Sequence, residues 1–321
     1  MKLGAFEIHI VTDGQFRLDG GAMFGVVPRV LWEQCCPADE KHRVRLAVNC
    51  LLIRAHGKNI LVDTGLGNKW EAKYHKMFAI DRTPPLADSL KRVAVSFDDI
   101  HMVINTHLHF DHAGGNTVAE HGGVAPAFRR ATYFVQRGEY QDAVKANERT
   151  KASYRRENFV PLEEIRRWEF LDGDTDLLPG VSVLVTGGHT AHHQAVKIES
   201  EGQVAFFPGD LIPTASHLPL PYIMGYDLYP MQTLEAKRAL LNQAHQERWL
   251  LCFEHDPNVR MGRIRKDEEN RYCLDPVPDV EMEGTVALVG LPRPATVPVA
   301  GLKGDRPQTE GGQSPHSTRR R

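Results

Sequence analysis

Four side chains that can bind metal ions lie within six consecutive residues near the middle of the chain. His107, His109, Asp111 and His112 form the pattern H-x-H-x-D-H directly after a short, mainly apolar segment. Imidazole nitrogens and carboxylates are ligands for zinc, manganese, iron and cobalt. Because alternate side chains of an extended segment project to one side, His107 and His109 are expected to point together. Asp111 and His112 then approach from another side after a turn, which suits two adjacent metal ions better than one.

The alternative interpretation is a polar turn whose histidines are merely solvated. Gly114 and Gly115 follow the cluster, and their backbone freedom is expected to permit a sharp turn. Burying four ionisable side chains without a metal ion would be costly in free energy. The pattern therefore favours a metal site.

Two similar β-hairpins are predicted to place further acidic residues at sheet edges. The first spans residues 49–63 and ends at Asp63, and the second spans residues 195–210 and ends at Asp210. Each of these aspartates lies close to a glycine, at a strand end where functional sites are commonly built. The two halves of the chain thus look like repeats of one plan.

Further short strands deliver the remaining candidate histidines in the same way. Residues 181–186 are predicted to form an apolar strand ahead of His189, and residues 249–253 another ahead of His255. Residues 231–248 show apolar positions on one helical face and charges on the other, which predicts a structural helix. Polar side chains are therefore expected at the ends of several strands.

Composition limits the classes of partner. The 321 residues are 41% hydrophobic and 25% charged, with a formal net charge of −2. This charge gives no global attraction to nucleic acid or to an anionic membrane, so neither is expected as a partner and a small or neutral substrate is the simpler expectation. The absence of a long apolar window and the five cysteines without framework spacing predict a cytoplasmic protein. The sequence leaves the oligomeric state open.

The chain is expected to change character near its end. Residues 1–275 are predicted to form one catalytic domain and residues 276–321 a largely disordered tail, because the tail has seven Pro and six Gly in 46 residues. One strand within residues 284–290 is the exception expected there.

Seven polar residues at strand ends follow the order H-x-H-x-D-H, H, D, H, and this order resembles the metallo-β-lactamase superfamily. They are His107, His109, Asp111, His112, His189, Asp210 and His255. The resemblance spans roughly residues 6–256. It implies an α/β fold, the four-layered αβ/βα metallo-β-lactamase sandwich with an internal pseudo-twofold repeat, which matches the repeated hairpins.

The same resemblance implies how these residues would bind two metal ions. The first ion would be held by His107, His109 and His189. The second would be held by Asp111, His112 and His255, with Asp210 bridging the two. Asp63 resembles a supporting aspartate of the family, and His193 a supporting or structural histidine. The expected ions are divalent, with zinc favoured and manganese, cobalt or iron as alternatives.

Within the superfamily, Gly188-His189-Thr190 with His193-Gln194 resembles the G-H-T-x-x-H-Q element of bacterial N-acyl homoserine lactonases. The stretches 21–25, 147–154 and 218–222 resemble YtnP-type quorum-quenching lactonases in particular. The resemblance implies a metal-dependent hydrolase that opens lactone rings, with N-acyl homoserine lactones as the favoured substrate. Attack by a metal-bridging hydroxide is the expected chemistry, with Asp111 and Asp210 as catalytic residues.

Two alternatives remain at this stage. A same-fold hydrolase could act on phosphotriesters, phosphodiesters or β-lactams, because the same hydroxide could attack them. Less favoured is a regulator that binds a signal molecule without turnover. The neutral residues Met23, Phe24 and Trp32 could roof the site and receive an acyl chain, or they could make a plain hydrophobic contact. As a pocket wall, such a neutral stretch favours an acyl substrate over a phosphate.

One departure from the better-studied homoserine lactonases concerns the proton donor. Those enzymes carry a tyrosine three positions after the bridging aspartate, where this chain has Pro213. Tyr222, Tyr226 or His217 could supply a donor from the following loop. The histidines outside the pattern are predicted to be surface or turn residues without a metal role; they are His121, His192, His217 and His245.

Overall fold

The computed structural model describes residues 1–120 and 122–278. His121, the strand expected within residues 284–290 and nearly all of the expected tail lie outside the described residues. The boundary expected after residue 275 falls inside the last described strand, Tyr272–Pro276. The division into a domain and a tail therefore stays a prediction.

The described residues form 16 strands and eight α-helices. The strands are β1 (Lys2–Leu3), β2 (Phe6–Asp19), β3 (Arg43–Ala55), β4 (Lys58–Val62), β5 (Ile100–Ile104), β6 (Thr117–Glu120), β7 (Gly123–Pro126), β8 (Thr132–Gln136), β9 (Trp168–Leu171), β10 (Thr175–Leu178), β11 (Val181–Val185), β12 (Gln194–Ser200), β13 (Gln203–Phe207), β14 (Leu250–Cys252), β15 (Met261–Lys266) and β16 (Tyr272–Pro276). The helices are α1 (Gly20–Phe24), α2 (Arg29–Trp32), α3 (Ala72–Phe78), α4 (Leu86–Arg92), α5 (Phe110–Ala113), α6 (Arg137–Val144), α7 (Val160–Glu164) and α8 (Pro230–Gln246). Within the described ranges, no helix is long and apolar enough to cross a membrane.

Two seven-stranded sheets carry the repeat that the hairpins predicted. The first sheet has the order β1-β2-β3-β4-β5-β8-β9, and the second has the order β10 to β16 in sequence. The segments β2-β3-β4-β5 and β11-β12-β13-β14 share one pattern, two antiparallel pairings followed by a parallel one. The two sheets differ at the next strand in the sheet order, because β8 pairs parallel to β5 whereas β15 pairs antiparallel to β14.

The two sheets pack face to face because neighbouring residues of the central strands are apolar on both faces. Ile53 and Phe207 belong to the core between the sheets. Their neighbours behave differently, since Leu52 packs with helix α4 and Phe206 packs with helix α8. Because successive side chains of a strand point to opposite faces of its sheet, each sheet needs an apolar layer against both faces. The order is helix, sheet, sheet, helix, and the predicted four-layered α/β sandwich is confirmed.

The carboxyl ends of five strands point to one edge of this sandwich. Asp63 follows β4, and the His107 cluster follows β5. His189, Asp210 and His255 follow β11, β13 and β14 respectively. Parallel strands end at the same edge of a sheet, and ligand sites form there in α/β proteins. The fold therefore gathers residues that are as far as 192 positions apart (63 to 255).

The turn after the His107 cluster needs glycine for a reason that differs from the expected one. Gly114 has an ordinary right-handed backbone, φ −59°, so the argument from backbone freedom is wrong. The backbone of residues 64–67 instead packs directly against the turn. A Cβ atom on Gly114 would lie 2.2 Å from the carbonyl oxygen of Leu66, and one on Gly115 would lie 2.1 Å from that of Thr64. Close approach of two backbones is the constraint.

We expect Gly114→Ala to reduce the free energy of unfolding by about 1–3 kcal/mol or more, because the new methyl group meets backbone atoms that cannot rotate away. Urea denaturation followed by circular dichroism measures the change. Gly123→Ala is the matched control, since a Cβ atom there meets only the Glu120 carbonyl oxygen at 3.9 Å. Equal stability of the two variants would contradict the close-packing argument.

Candidate metal centre

Three imidazoles converge on one point and form what we call the first cluster: His107, His109 and His189. The Nε2 atoms of His107 and His189 each lie 3.0 Å from Nδ1 of His109. His107 and His189 are buried, at 0% and 1% exposure. Burial lowers the pKa of His107 and of His109 well below the ordinary value, so both rings are neutral with a free lone pair. Three inward-facing ring nitrogens are a suitable donor set for a divalent metal ion.

A second cluster consists of Asp111, His112 and His255. Nε2 of His112 lies 3.2 Å from Nε2 of His255. The Asp111 carboxylate completes the group, with Oδ2 3.7 Å from His255 Nε2 and Oδ1 3.9 Å from His112 Nε2. The ligand atoms of this group all lie within 4.8 Å of one another.

Asp210 lies between the two clusters and contacts both. Its Oδ2 atom is 3.1 Å from Nε2 of His189, and its Oδ1 atom is 3.2 Å from Nε2 of His255. Among the described residues, no donor makes a hydrogen bond to Oδ1, although that atom is fully buried. A buried carboxylate oxygen without a donor is expensive. The orphaned oxygen and the facing imidazole nitrogens therefore both fit the expectation that this centre holds cations.

The charge on Asp210 is favoured by its neighbours. Burial acts to raise the pKa of this carboxyl, but His189, His112 and His255 outweigh it and hold the pKa well below the ordinary value. The three imidazoles thus keep Asp210 ionised although the side chain is buried.

The outer ring nitrogens of three candidate ligands have oxygen partners that fix the rings. Nδ1 of His189 lies 2.8 Å from Oδ1 of Asp227, and Nδ1 of His255 lies 2.8 Å from the carbonyl oxygen of Ala47. Nδ1 of His107 lies 3.0 Å from the Thr106 hydroxyl. Such partners orient a ligating imidazole and leave the opposite nitrogen free for a metal.

His112 has two carboxyl neighbours at its outer nitrogen. Nδ1 lies 3.0 Å from Oδ2 of Asp63 and 2.8 Å from Oε2 of Glu254. Asp63 also accepts hydrogen bonds from the backbone and the hydroxyl of Thr106, and it has a left-handed backbone, φ 55°. Such a conformation is uncommon for a residue other than glycine and is retained where the surrounding contacts enforce it. Burial raises the pKa of Glu254 well above its ordinary value, which limits the negative charge buried here.

His193 supports the backbone of Asp210. The Asp210 N–H donates to Nε2 of His193 at 3.1 Å, while Nδ1 of His193 lies 2.6 Å from the Thr186 hydroxyl. The preceding Gly209 has φ 52°, and a Cβ atom there would lie 2.8 Å from His193 Nε2. Only glycine therefore permits this approach.

Glu139 is a positioning residue that sequence reasoning missed. Its buried carboxylate accepts from the Leu108 N–H at 3.0 Å and from the Thr190 hydroxyl at 2.6 Å. Leu108 lies between His107 and His109, and Thr190 follows His189. One carboxylate thus fixes both chain segments of the first cluster. In the sequence, Glu139 is a charged residue in the first turn of a helix, a pattern typical of a solvated face.

Asp227 and Glu254 were also not assigned a role. Asp227 lies in a loop without periodicity, and Glu254 directly precedes His255. Asp256 is a turn residue, since its Oδ1 accepts from the backbone N–H groups of Asn258 and Val259. Nothing in their spacing distinguishes these carboxylates from surface residues.

The remaining histidines divide into correct and incorrect predictions. His192 is half-exposed, as a turn residue can be, and His245 is partly buried. His217 lies in the turn Ala215–His217, as one of the two expectations had it, but it is not at the surface, because this ring is 1% exposed and stacks on Phe24 at 4.6 Å. Both of its ring nitrogens have partners, the Thr214 hydroxyl and the Met23 carbonyl oxygen, at 2.8 Å each.

A cavity of about 450 Å³ opens over the two clusters. His109, Asp111, His189, Asp210 and His255 form its polar floor. The walls are mainly apolar, with Arg149, Thr150, Ser153 and Tyr226 as polar exceptions; the apolar lining residues include Leu18, Met23, Leu46, Phe78, Phe110, Met224 and Leu228. Of the three residues that could roof the site, Met23 lines the cavity. Phe24 and Trp32 stack behind it at 5.4 Å.

Several known proteins resemble this chain in sequence or in fold. The chain is 33% identical to an N-acyl homoserine lactonase from Bacillus thuringiensis over 168 residues, which are 49% of this chain and 60% of that protein. It therefore spans less than two thirds of the length of that relative.

Two solved structures extend the comparison over most of the chain. A probable metal-dependent hydrolase from Staphylococcus aureus is 32% identical, with a TM-score of 0.79 over 86% of this chain and 99% of that one. An N-acyl homoserine lactone hydrolase with the product N-hexanoyl-L-homoserine bound at its catalytic metal center is 25% identical, with a TM-score of 0.60 over 80% of this chain and 95% of that one.

The family assignment agrees with the fold and with the predicted resemblance. The sequence profile of the metallo-beta-lactamase superfamily matches residues 43–255, well over half of the chain. The predicted fold class is confirmed, and so is the assignment to a superfamily of metal-dependent hydrolases. The chain belongs to the metallo-beta-lactamase superfamily, with N-acyl homoserine lactonases among its homologues.

Proposed function

We propose that this protein is a dinuclear metal-dependent hydrolase that opens the ring of N-acyl homoserine lactones. The position of Asp210 supports this function most directly, because one buried carboxylate contacts both clusters on the floor of a mainly apolar cavity. The lactonase activity of the Bacillus relative and the product bound in the solved lactone hydrolase favour the same substrate class.

In this proposal the first cluster would hold one divalent ion, the second cluster would hold another, and Asp210 would be a ligand shared by both. Zinc is the expected metal, because imidazole and carboxylate donors suit it, with manganese, cobalt or iron as alternatives. Bound ions would supply Lewis acidity toward the lactone carbonyl and would lower the pKa of the nucleophilic water.

The protein side chains contribute position and proton movement. Asp210 has a lowered pKa, so it releases a proton readily. It is therefore suited to pass a proton from the nucleophilic water to the leaving oxygen, but not to retain one. Asp111 lines the cavity beside it and is the second proposed catalytic carboxylate. The apolar walls, including Met23, Phe78 and Met224, would cover the acyl chain and exclude water from the ester.

Tyr226 is the proposed hydrogen-bond donor to the substrate. Of the three candidates from the sequence, it is the one that lines the cavity, within the described residues. Burial, Asp19 and Asp111 raise its pKa to about 12, so its hydroxyl stays protonated. His217 is unsuited, because burial lowers its pKa to about 3 and both ring nitrogens are engaged. Pro213, which stands where the better-studied lactonases have a tyrosine, contributes through its backbone. Its carbonyl oxygen accepts a hydrogen bond from the His255 N–H at 3.0 Å.

A second candidate function is supported by one observation. Arg149 lines the cavity, and its guanidinium donates to the carbonyl oxygen of Gly225 at 3.1 Å. A fixed cation above the metal clusters would suit an anionic substrate, such as a phosphodiester or a β-lactam. The apolar majority of the lining favours the acyl lactone.

We expect the metal-loaded protein to contain close to two metal ions and to open N-acyl homoserine lactones in preference to other esters. Metal analysis gives the stoichiometry. Proton release from short-chain and long-chain lactones, a phosphotriester, a phosphodiester and a β-lactam gives the substrate class. Removal of metal with a chelator should abolish turnover, and Asp210→Ala should lose at least one metal ion and most of the activity, because it removes the ligand shared by the clusters.

His192→Ala is the control for this experiment, since His192 belongs to the same segment as His189 but is exposed and outside both clusters. Hydrolysis by metal-free protein would refute the mechanism. A preference for the phosphodiester or the β-lactam would favour the second candidate. Stoichiometric metal with no turnover of any ester would favour a regulator that binds a signal molecule.

We expect Tyr226→Phe to lower kcat/KM for the lactone by about tenfold or more, because a hydrogen bond worth about 1.4 kcal/mol corresponds to a factor of ten in rate. Metal content should not change. Tyr222→Phe is the matched control, because Tyr222 packs edge to face with Phe24 and is not among the cavity-lining residues. Equal losses in the two variants would show that the Tyr226 hydroxyl makes no specific contribution.

A further inference from the structure

Two adjacent cysteines lie beside the wall of the cavity and have no part in the proposed hydrolysis. Cys35 and Cys36 follow helix α2; Cys35 is exposed and Cys36 is half-buried. Cys36 packs against the apolar cluster that contains Met23 and Phe24. Its Sγ atom donates to the Ser216 hydroxyl at 3.4 Å. Ordinary packing accounts for the half-buried Cys36 but not for the exposed Cys35 thiol.

The environments of the two thiols are unequal. Hydrogen bonding from Cys36, followed by that from Ser216, lowers the pKa of Cys35 to about 7. The same bond to Cys35, together with burial, raises the pKa of Cys36. The exposed Cys35 thiol donates to the carbonyl oxygen of Trp32 at 3.1 Å, and its lowered pKa brings the thiolate form within reach near neutral pH, next to a thiol that keeps its proton. This combination is the one that distinguishes a reactive cysteine from a structural one.

We propose that Cys35 and Cys36 form a redox modification site that reacts with hydroperoxides. The Cys35 sulfur attacks the O–O bond of hydrogen peroxide; an S–O bond forms, the O–O bond breaks, and the released oxygen leaves as water after taking a proton. Cys36 then attacks the sulfenic sulfur, an S–S bond forms, and a second water leaves with the Cys36 proton. The two thiols lose two electrons, and the peroxide is reduced to two waters. This step is independent of the proposed hydrolase function.

The geometry makes such a disulfide reversible. Adjacent Cα atoms are about 3.8 Å apart across a trans peptide, whereas disulfide-bonded residues usually have Cα atoms about 4.4–6.8 Å apart. A disulfide between neighbours is therefore strained, and strained disulfides are reduced easily. The pair suits a transient modification rather than a structural crosslink.

Oxidation would also change the contacts of the Ser216 turn, Ala215–His217. The Cys36 thiol would no longer donate to Ser216. The same turn is joined to the metal centre, because the Ala215 N–H donates to Oδ2 of Asp256, the residue after His255, at 2.9 Å. His217 joins it to Met23 in the cavity wall. Loss of the Cys36 contact therefore loosens a turn that supports the wall.

The test is brief treatment of the full-length protein with hydrogen peroxide, alkylation of the remaining thiols, and peptide mass spectrometry. We expect a peptide that contains Cys35 and Cys36 to escape alkylation, to lose the mass of two hydrogen atoms, and to recover both thiols on reduction with dithiothreitol. Cys36→Ser should stop at a sulfenic acid that dimedone traps. Cys35→Ser should react far more slowly.

Cys273 is the internal control, because it is also partly exposed but burial raises its pKa. Oxidation of Cys273 at the same rate as Cys35 would overturn the proposal, and so would failure of the Cys35-Cys36 peptide to form a disulfide. Hydrogen exchange should be faster for residues 213–218 in the oxidised protein than in the reduced protein. Unchanged exchange there would overturn the link to the Ser216 turn. Neither readout depends on lactone hydrolysis, so failure here and failure of the proposed function are distinguishable.

Discussion

A buried carboxylate shared between two groups of imidazoles is the interaction on which the rest of the structure depends. Asp210 is 6% exposed, and isolating such a charge from water would cost several kcal/mol without compensation. The compensation comes from His189 and His255, which are held by segments after β11 and β14. Those segments in turn need fixed outer partners, Asp227 for one ring and the Ala47 carbonyl oxygen for the other. The position of one charge thus constrains several strand ends.

The sandwich supplies rigidity because its apolar faces leave little freedom at the edge where the centre lies. The paired hairpins fix the ends of β4 and β13, so that Asp63 and Asp210 approach the clusters from the two sheets. Direct backbone contact between residues 64–67 and the turn at Gly114 removes space that a side chain would occupy. Close packing of this kind holds metal-binding side chains at fixed separations and limits relaxation when one of them is changed.

The side of the centre that faces the cavity is organised differently. Besides Leu18 and Leu46 on strands β2 and β3, its walls come from loops and short helices that polar contacts help to hold, such as the Arg149 bond to Gly225 and the two bonds from Lys237 Nζ to the carbonyl oxygens of Pro219 and Tyr222. Lys237 is fully buried on helix α8, and burial lowers its pKa to about 7. It therefore joins a loop of the cavity wall to the helical layer. The two clusters of candidate ligands lie on a rigid frame, while part of the cavity wall is held by a small number of polar contacts between loops.

The sequence alone determined the His107 cluster and the two hairpins, because these depend on local spacing and on alternation of apolar residues along strands. The roles of the seven candidate ligands and the four-layered fold followed from the resemblance of their order to the metallo-β-lactamase superfamily. The tertiary structure decided which carboxylates support the ligands: Glu139 contacts residues 108 and 190, and Asp227 contacts His189 across 38 positions. It also decided why Gly114 is needed, why His217 is buried, and that Cys36 meets Ser216 across 180 positions. No periodicity records such pairings, because each one exists only after two distant segments have packed together.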